Sequence, residues 1–349
     1  METKRLSYID WAKAIGICLV CIGHFLPGGN EWKVVFYTFH VPLFIFVGGM
    51  LTKCPKGIMD FLKKLGKLSL RILAPYTIWH LISRWAYVKP GLEAGENVWK
   101  TWLFIDGKTI WNDALWYAPL IFVTSVVFLL VCWAIRGSKI ASFSIGVLSL
   151  WQFAWYCANP EPFVWFGHQN FWAGQNIFLY FGVFCIGYAC KDIIPAIIQW
   201  KENPHKNTLL YMSGGAFLGL LVLSNKLNGT FPISLLYLRF NQGNDGWKFA
   251  IMAVLLCVTM VIACGLLPKN RVVEILSKNS LFLMCSHYLF LKAWAWDTGL
   301  GGGPETVRLR WGLAVMMLVI YVIFLFMFRL ICKRIPHSNK VIGLLGMQF

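Results

Sequence analysis

Residues 8–51, YIDWAKAIGICLVCIGHFLPGGNEWKVVFYTFHVPLFIFVGGML, decide the fold. Two apolar segments, each long enough to enter a bilayer, are joined by a Pro-Gly-Gly turn. They carry four groups that hydrocarbon rejects: Asp10, Lys13, His24 and His40. An ionisable side chain at membrane depth costs about 2.5–3.5 kcal/mol, so it persists where it faces a polar cavity, a partner or a substrate. A plain anchor does not accumulate four, and this pair of segments is where chemistry is expected.

The remaining sequence has the same character. Over 349 residues it is 58% hydrophobic and only 13% charged, a polytopic membrane composition and not that of a soluble domain with one core. The formal net charge of +17 does not point to nucleic acid, because the Lys and Arg residues fall between apolar spans and form no basic binding fold. The 11 cysteines are odd in number and, Cys54 apart, lie in or beside apolar stretches; they read as small packing residues and not as a disulfide framework. Cys18 and Cys21 form one C-x-x-C with no second pair. Lys4 and Arg5 precede the first apolar segment as in a signal peptide. No small-x-small cleavage site follows, and Asp10 and Lys13 interrupt the run, so a retained first span is expected.

A span needs roughly 20 mostly apolar residues. That rule predicts an all-α polytopic membrane protein of about ten transmembrane helices, near 10–27, 34–51, 68–86, 115–135, 140–157, 176–190, 208–224, 248–267, 281–296 and 311–332. The sixth and ninth are short. No linker or internal repeat divides residues 1–349, which read as a single domain. Basic residues gather on alternate loops and ends, at Lys4 and Arg5, at Lys53 to Arg71, and beside Arg136, Lys191, Lys269 and Lys333. The basic side is cytoplasmic by the positive-inside rule, which places both termini in the cytoplasm. The opposite loops (87–114, 158–175, 225–247 and 297–310) are long and rich in aromatics, amides and Gly. Such residues mark a membrane interface, or alternatively a carbohydrate-binding surface.

In a first span running outward, Asp10 and Lys13 lie near the cytoplasmic end. His24 stands about 16 Å further along, at 1.5 Å per residue. His40, near the start of the returning span, falls at a similar depth, and Arg71 joins the basic mouth. Phosphates need Arg or Lys, and the pantetheine arm of coenzyme A can carry a thioester over that depth. A neutral imidazole suits removal of a hydroxyl proton near neutrality, so His24 is the expected general base; nucleophilic catalysis through an acetyl-imidazole uses the same residue. Asp10 and Lys13, three apart on one helical face, can equally neutralise each other, and Lys13 can snorkel to the headgroups. His80 and His287 read as packing or polar-network residues within spans. No H-x-x-x-H or paired C-x-x-C motif supports a metal site.

The opening motif, I-D-x-x-K, ten residues and a His, then F-H-x-P-L-F-x-F-x-x-G, resembles the acyltransferase-3 family, particularly its fucose 4-O-acetylase-like branch. The matching positions are Ile9, Asp10, Lys13 and His24, then Phe39, His40, Pro42, Leu43, Phe44, Phe46 and Gly49. The family's basic position is often Arg; here it is Lys13. RILAPY at 71–76, LWY at 115–117 and SLFLMCSH at 280–287 are similar to later family elements. The resemblance implies a ten-span fold that takes acyl groups, usually acetyl, from cytoplasmic acyl-CoA and modifies extracytoplasmic glycans or lipid-linked sugars. It carries the basic-x10-His motif onto Lys13 and His24, and the third-span arginine onto Arg71. Many members have an additional extracytoplasmic hydrolase-like domain; here transfer is expected to finish within the membrane domain.

These readings converge on a plasma-membrane O-acetyltransferase using acetyl-CoA, with membrane lipids around it and neither metal nor nucleic acid as partner. His24, Lys13 and Asp10 are the expected catalytic group. Lys13, Arg71 and Trp116 are expected to hold acyl-CoA, and His40 and His287 to face the acceptor. A transporter or flippase for an anionic lipid-linked sugar is the alternative that a basic vestibule and polar shaft leave open.

Overall fold

The computed structural model describes residues 5–26, 31–86, 98–103, 112–158, 172, 177–199, 205–227, 246–295, 304–332 and 342–348. Among these the chain is helical, with no strand. The helices are α1 (Ser7–Phe25), α2 (Glu31–Leu51), α3 (Ile58–Leu68), α4 (Ala74–Ala86), α5 (Val98–Leu103), α6 (Tyr117–Ala134) and α7 (Lys139–Ala158). They continue as α8 (Ile177–Ala189), α9 (Ile193–Gln199), α10 (Lys206–Leu227), α11 (Gly246–Ala263), α12 (Arg271–Lys278), α13 (Ser280–Ala295) and α14 (Pro304–Cys332). Each expected apolar segment is helical over its described part. Among the described residues 7 helices are long and apolar enough to cross a membrane, or 8 if α8 and α9, bent by 50° at their junction, form one span. The expected third and ninth spans fall short individually. The α4 stretch carries Thr77, His80, Ser83 and Arg84 in its 13 residues, and α13 is 16 residues long.

Burial separates an inner layer from an outer one. In α2, 78% of the apolar window is buried, against 22% in α14 and 11% in α10. The inner helix α1 packs on α2, α12, α13 and α14, and α2 packs in turn on α8 and α11. Polar groups on α1 are thereby enclosed by protein, while α7, α10 and α14 present apolar side chains such as Ile140, Leu218 and Ile323 outward. The α3 helix is amphipathic. Ile58, Met59 and Leu62 are exposed, while Lys63, Lys64 and Lys67 share the helix with Asp60. That is the signature of a helix lying in the headgroup plane. Lys64 pairs with Asp60 one turn away and holds its carboxyl below the ordinary range.

Glycine sets how closely the inner helices approach. A Cβ on Gly49 would overlap the Phe184 carbonyl oxygen, and one on Gly187 would overlap that of Phe46, so α2 and α8 meet backbone to backbone. Gly146 and Gly182 repeat the arrangement between α7 and α8, where a Cβ would come within 3.0 and 2.9 Å of the facing carbonyl oxygen. Small residues at such crossings are how helices associate where no water drives them together. Gly187→Ala should therefore force α2 from α8 and cost about 1–3 kcal/mol. Gly215→Ala on α10, where a Cβ meets open space, should be neutral or slightly stabilising. Thermal denaturation of the two variants in nanodiscs checks this; equal midpoints would contradict the close crossing.

Candidate active site

The carboxylate, ammonium and imidazole of α1 enter three different surroundings. Asp10, near its start, is buried. Arg5 grips the carboxylate with two hydrogen bonds of 2.6 Å, from Nε to Oδ2 and from Nη2 to Oδ1, and Ser277 donates to Oδ1 at 2.7 Å. A bidentate guanidinium with a hydroxyl leaves little of the carboxylate unsatisfied, and charge-assisted bonds are the strong ones. Asp10 thus ties α1 to the last turn of α12. That helix is itself started by Asn270, whose side chain accepts from the Val272 and Val273 amides. The partner of Asp10 is Arg5, not Lys13.

Lys13 turns instead to a cavity of about 280 Å3, which it lines together with Arg71. Other walls come from Phe44 and Val47 of α2, Tyr117 and Ser125 of α6, and Met284 of α13. Arg71 lies within a π-helical turn, Ser69–Leu73, that joins α3 to α4. Pro75 explains the turn: without an N–H it cannot donate to the Arg71 carbonyl, and the ladder widens by one residue before α4 resumes. Single π turns of this kind recur at functional sites. Trp116 does not line this cavity as described. It is buried one residue before Tyr117, with its ring 5.9 Å from that of Tyr180.

One helical turn beyond the cavity lies the imidazole cluster. Phe44 follows His40 by four residues on α2 and Met284 precedes His287 by three on α13, spacings that share a helix face. The His24 ring stands 4.9 Å from that of His287 and 5.8 Å from those of Tyr37 and Tyr288, and Tyr37 meets His40 edge-on at 4.7 Å. The Tyr37 hydroxyl reaches His24 Nε2 at 3.4 Å, the outer limit of hydrogen bonding. His40 Nδ1 contacts the Phe36 carbonyl, and His287 Nδ1 lies 2.8 Å from the Leu283 carbonyl. A carbonyl only accepts, so in each ring Nδ1 carries the proton and Nε2 presents a lone pair. Among the described residues His287 Nε2 is buried with no hydrogen-bond partner. Three imidazoles, two of fixed tautomer, thus gather where α1 ends and the middles of α2 and α13 pass.

The structure therefore brings Lys13 to Arg71, and His24 to His40 and His287. His80 is buried against Thr101 with Nε2 3.2 Å from its hydroxyl, a network residue as expected. His205 is exposed at the start of α10. The aromatic loops singled out for carbohydrate lie for the most part outside the described residues. Among the described residues no cluster of three or more His, Cys, Asp or Glu side chains converges as metal ligands. Tyr37, Tyr288, Ser277 and Arg5 were not singled out from sequence. Tyr37 and Tyr288 had a signal: each stands on a span at a helical spacing from, or next to, a histidine already marked.

A model of the family described as "acyltransferase domain", the acyltransferase-3 family, matches residues 6–340. The protein is a multi-pass membrane acyltransferase, and the chain belongs to that family. Comparisons with curated proteins and with solved structures each return no match.

Two measurements follow from the geometry. Asp10→Ala should strip both Arg5 and Ser277 of their partner and lower stability by about 1–3 kcal/mol, read by denaturation. In 15N solid-state NMR of labelled histidine, His40 and His287 should show protonated Nδ1 and bare Nε2; the opposite tautomer in either would contradict the assigned hydrogen bonds.

Proposed function

We propose that the protein moves acetyl from cytoplasmic acetyl-CoA to a hydroxyl of an extracytoplasmic or lipid-linked glycan, as a fucose 4-O-acetylase-like member of its family in the plasma membrane. The observation that carries the reading is the division of α1: Lys13 shares a cavity with Arg71, and eleven residues further along His24 joins an imidazole cluster. The positive-inside bias supports placing Lys13, Arg71 and both termini on the cytoplasmic side, with ten spans in all.

In this reading Lys13 and Arg71 receive the phosphates of coenzyme A, the guanidinium bidentately and the ammonium as a point charge. The pantetheine arm then runs past Phe44 and Met284, with Trp116 packed behind Tyr117 and outside the cavity. His24 takes the proton of the acceptor hydroxyl as its oxygen attacks the thioester carbonyl carbon. The carbon–sulfur bond breaks, the acetyl ester forms, and the thiolate leaving as coenzyme A takes the proton from the imidazolium. His40 and His287 border the acceptor and, with Nδ1 committed to carbonyls, offer it only acceptor nitrogens. Asp10 acts indirectly, by fixing the depth of α1.

His24→Ala should abolish acetyl transfer in washed membranes, by about 10²–10⁴-fold if only the base is lost, while acetyl-CoA binding persists. Arg71→Ala should weaken that binding about tenfold or more, the loss of one charged hydrogen-bonding partner. Near-normal transfer by the first variant, or unchanged binding by the second, would remove that residue from the site. Label from acetyl-CoA appearing covalently on glycan separates transfer from transport.

A further inference from the structure

A second cavity, of about 460 Å3, runs along the seam of α13 and α14. Its walls include Phe25, Leu289, Leu313, Met317, Phe324 and Phe328. The polar groups on those walls are turned to one another or to backbone: Tyr321 donates to Ser286 at 3.0 Å, and Trp79 Nε1 to the Leu345 carbonyl at 3.1 Å. What remains facing the space is hydrocarbon. The cavity is also long. From Leu313 to Phe328 α14 rises about 22 Å, most of a hydrocarbon core of about 30 Å, and α14 is itself largely exposed on its outer face.

Its two ends differ. One is floored by Leu345 and Met347, in a segment held by Asn279, whose side chain exchanges hydrogen bonds of 2.9 and 3.2 Å with the Gln348 backbone. At the other end Phe25 and Leu289 are the chain neighbours of His24 and Tyr288, in the imidazole cluster. Cations stand there as well. Arg310 Nη1 lies 3.5 Å from the Phe25 carbonyl, and Lys33 Nζ donates to the Leu26 carbonyl at 3.1 Å. Both sit at the C-terminus of α1, where positive charge is favoured; Glu31, in the first turn of α2, is the acidic residue nearest Lys33 in sequence, and Glu305, in the first turn of α14, the one nearest Arg310.

We infer that this groove seats the hydrocarbon chain of the acceptor, a sugar carried on a long-chain lipid phosphate. The phosphate lies at Lys33 and Arg310, and the sugar reaches His24. The inference rests on the acetyl-transfer reading and narrows its acceptor from glycans in general to lipid-linked ones. A chain held along the bilayer normal fixes the height of its headgroup, so the hydroxyl arrives at the depth of His24 without a soluble glycan-binding domain.

The test uses the full chain in phosphatidylcholine nanodiscs with a polyprenyl phosphate bearing a diazirine in its chain. Mass spectrometry should place adducts on α14 between Leu313 and Phe328. Unlabelled polyprenyl phosphate should displace the probe where phosphatidylglycerol at the same concentration does not. Met317→Trp, which fills the cavity, should cut labelling about tenfold or more while acetyl-CoA binding shows that the fold survives; Leu313→Phe is the milder second variant. Adducts spread over α7 and α10, equal displacement by phosphatidylglycerol, or labelling indifferent to both substitutions would overturn the inference. His24→Ala protein should label normally. Absent labelling with acetyl transfer to a soluble glycan intact would sink the groove alone; intact labelling with no transfer from acetyl-CoA would sink the transfer reading alone.

Discussion

A helix bearing a carboxylate, an ammonium and an imidazole cannot lie against lipid, and the arrangement of this protein follows from that constraint. Desolvating any of the three in hydrocarbon costs more than one packing contact returns. The chain answers by surrounding α1 with α2, α12, α13 and α14 and by giving each group its own surroundings. Asp10 is neutralised by Arg5 and Ser277, Lys13 opens into a cavity shared with Arg71, and His24 joins other imidazoles and tyrosine rings. The outer helices are left free to be apolar, and they are.

Depth along α1 then becomes a chemical coordinate. Because α12 is clamped to Asp10 and α8 is seated against α2 through Gly49 and Gly187, neither neighbour slides easily. The distance between the cationic cavity and the imidazoles is consequently set by helix rise and not by loop geometry. Such placement suits the proposed transfer, in which donor and acceptor meet from opposite faces of the membrane. The π turn at Arg71 belongs to the same logic, since it rotates one side chain of a long helix toward Lys13 without breaking the helix.

Much of this was legible in the sequence. The polar residues inside residues 8–51 announced an enclosed α1 and α2, and the spacing of Lys13 and His24 announced two separate ends. Arg71 was visible through RILAPY, whose proline also carries the cause of the π turn. Other features depend on contacts between distant residues. Asp10 sits three residues from Lys13, which suggests an ion pair, yet Ser277 reaches it across 267 positions and Arg5 wins on geometry. His287 was expected beside His40 at the acceptor, but nothing on its own helix pairs it with His24, and only the fold places the two rings together. The short α8 and α13 were uncertain as spans because hydropathy counts residues in one straight helix, whereas α8 bends into α9.

The central claim is that one acyl donor engages both ends of α1. Cryo-electron microscopy of the protein in nanodiscs with a non-hydrolysable thioether analogue of acetyl-CoA tests it most directly. The account predicts phosphate density against Lys13 and Arg71, with the thioether sulfur within contact of the His24 ring. Phosphates bound elsewhere, or a pantetheine arm leading away from His24, would contradict it.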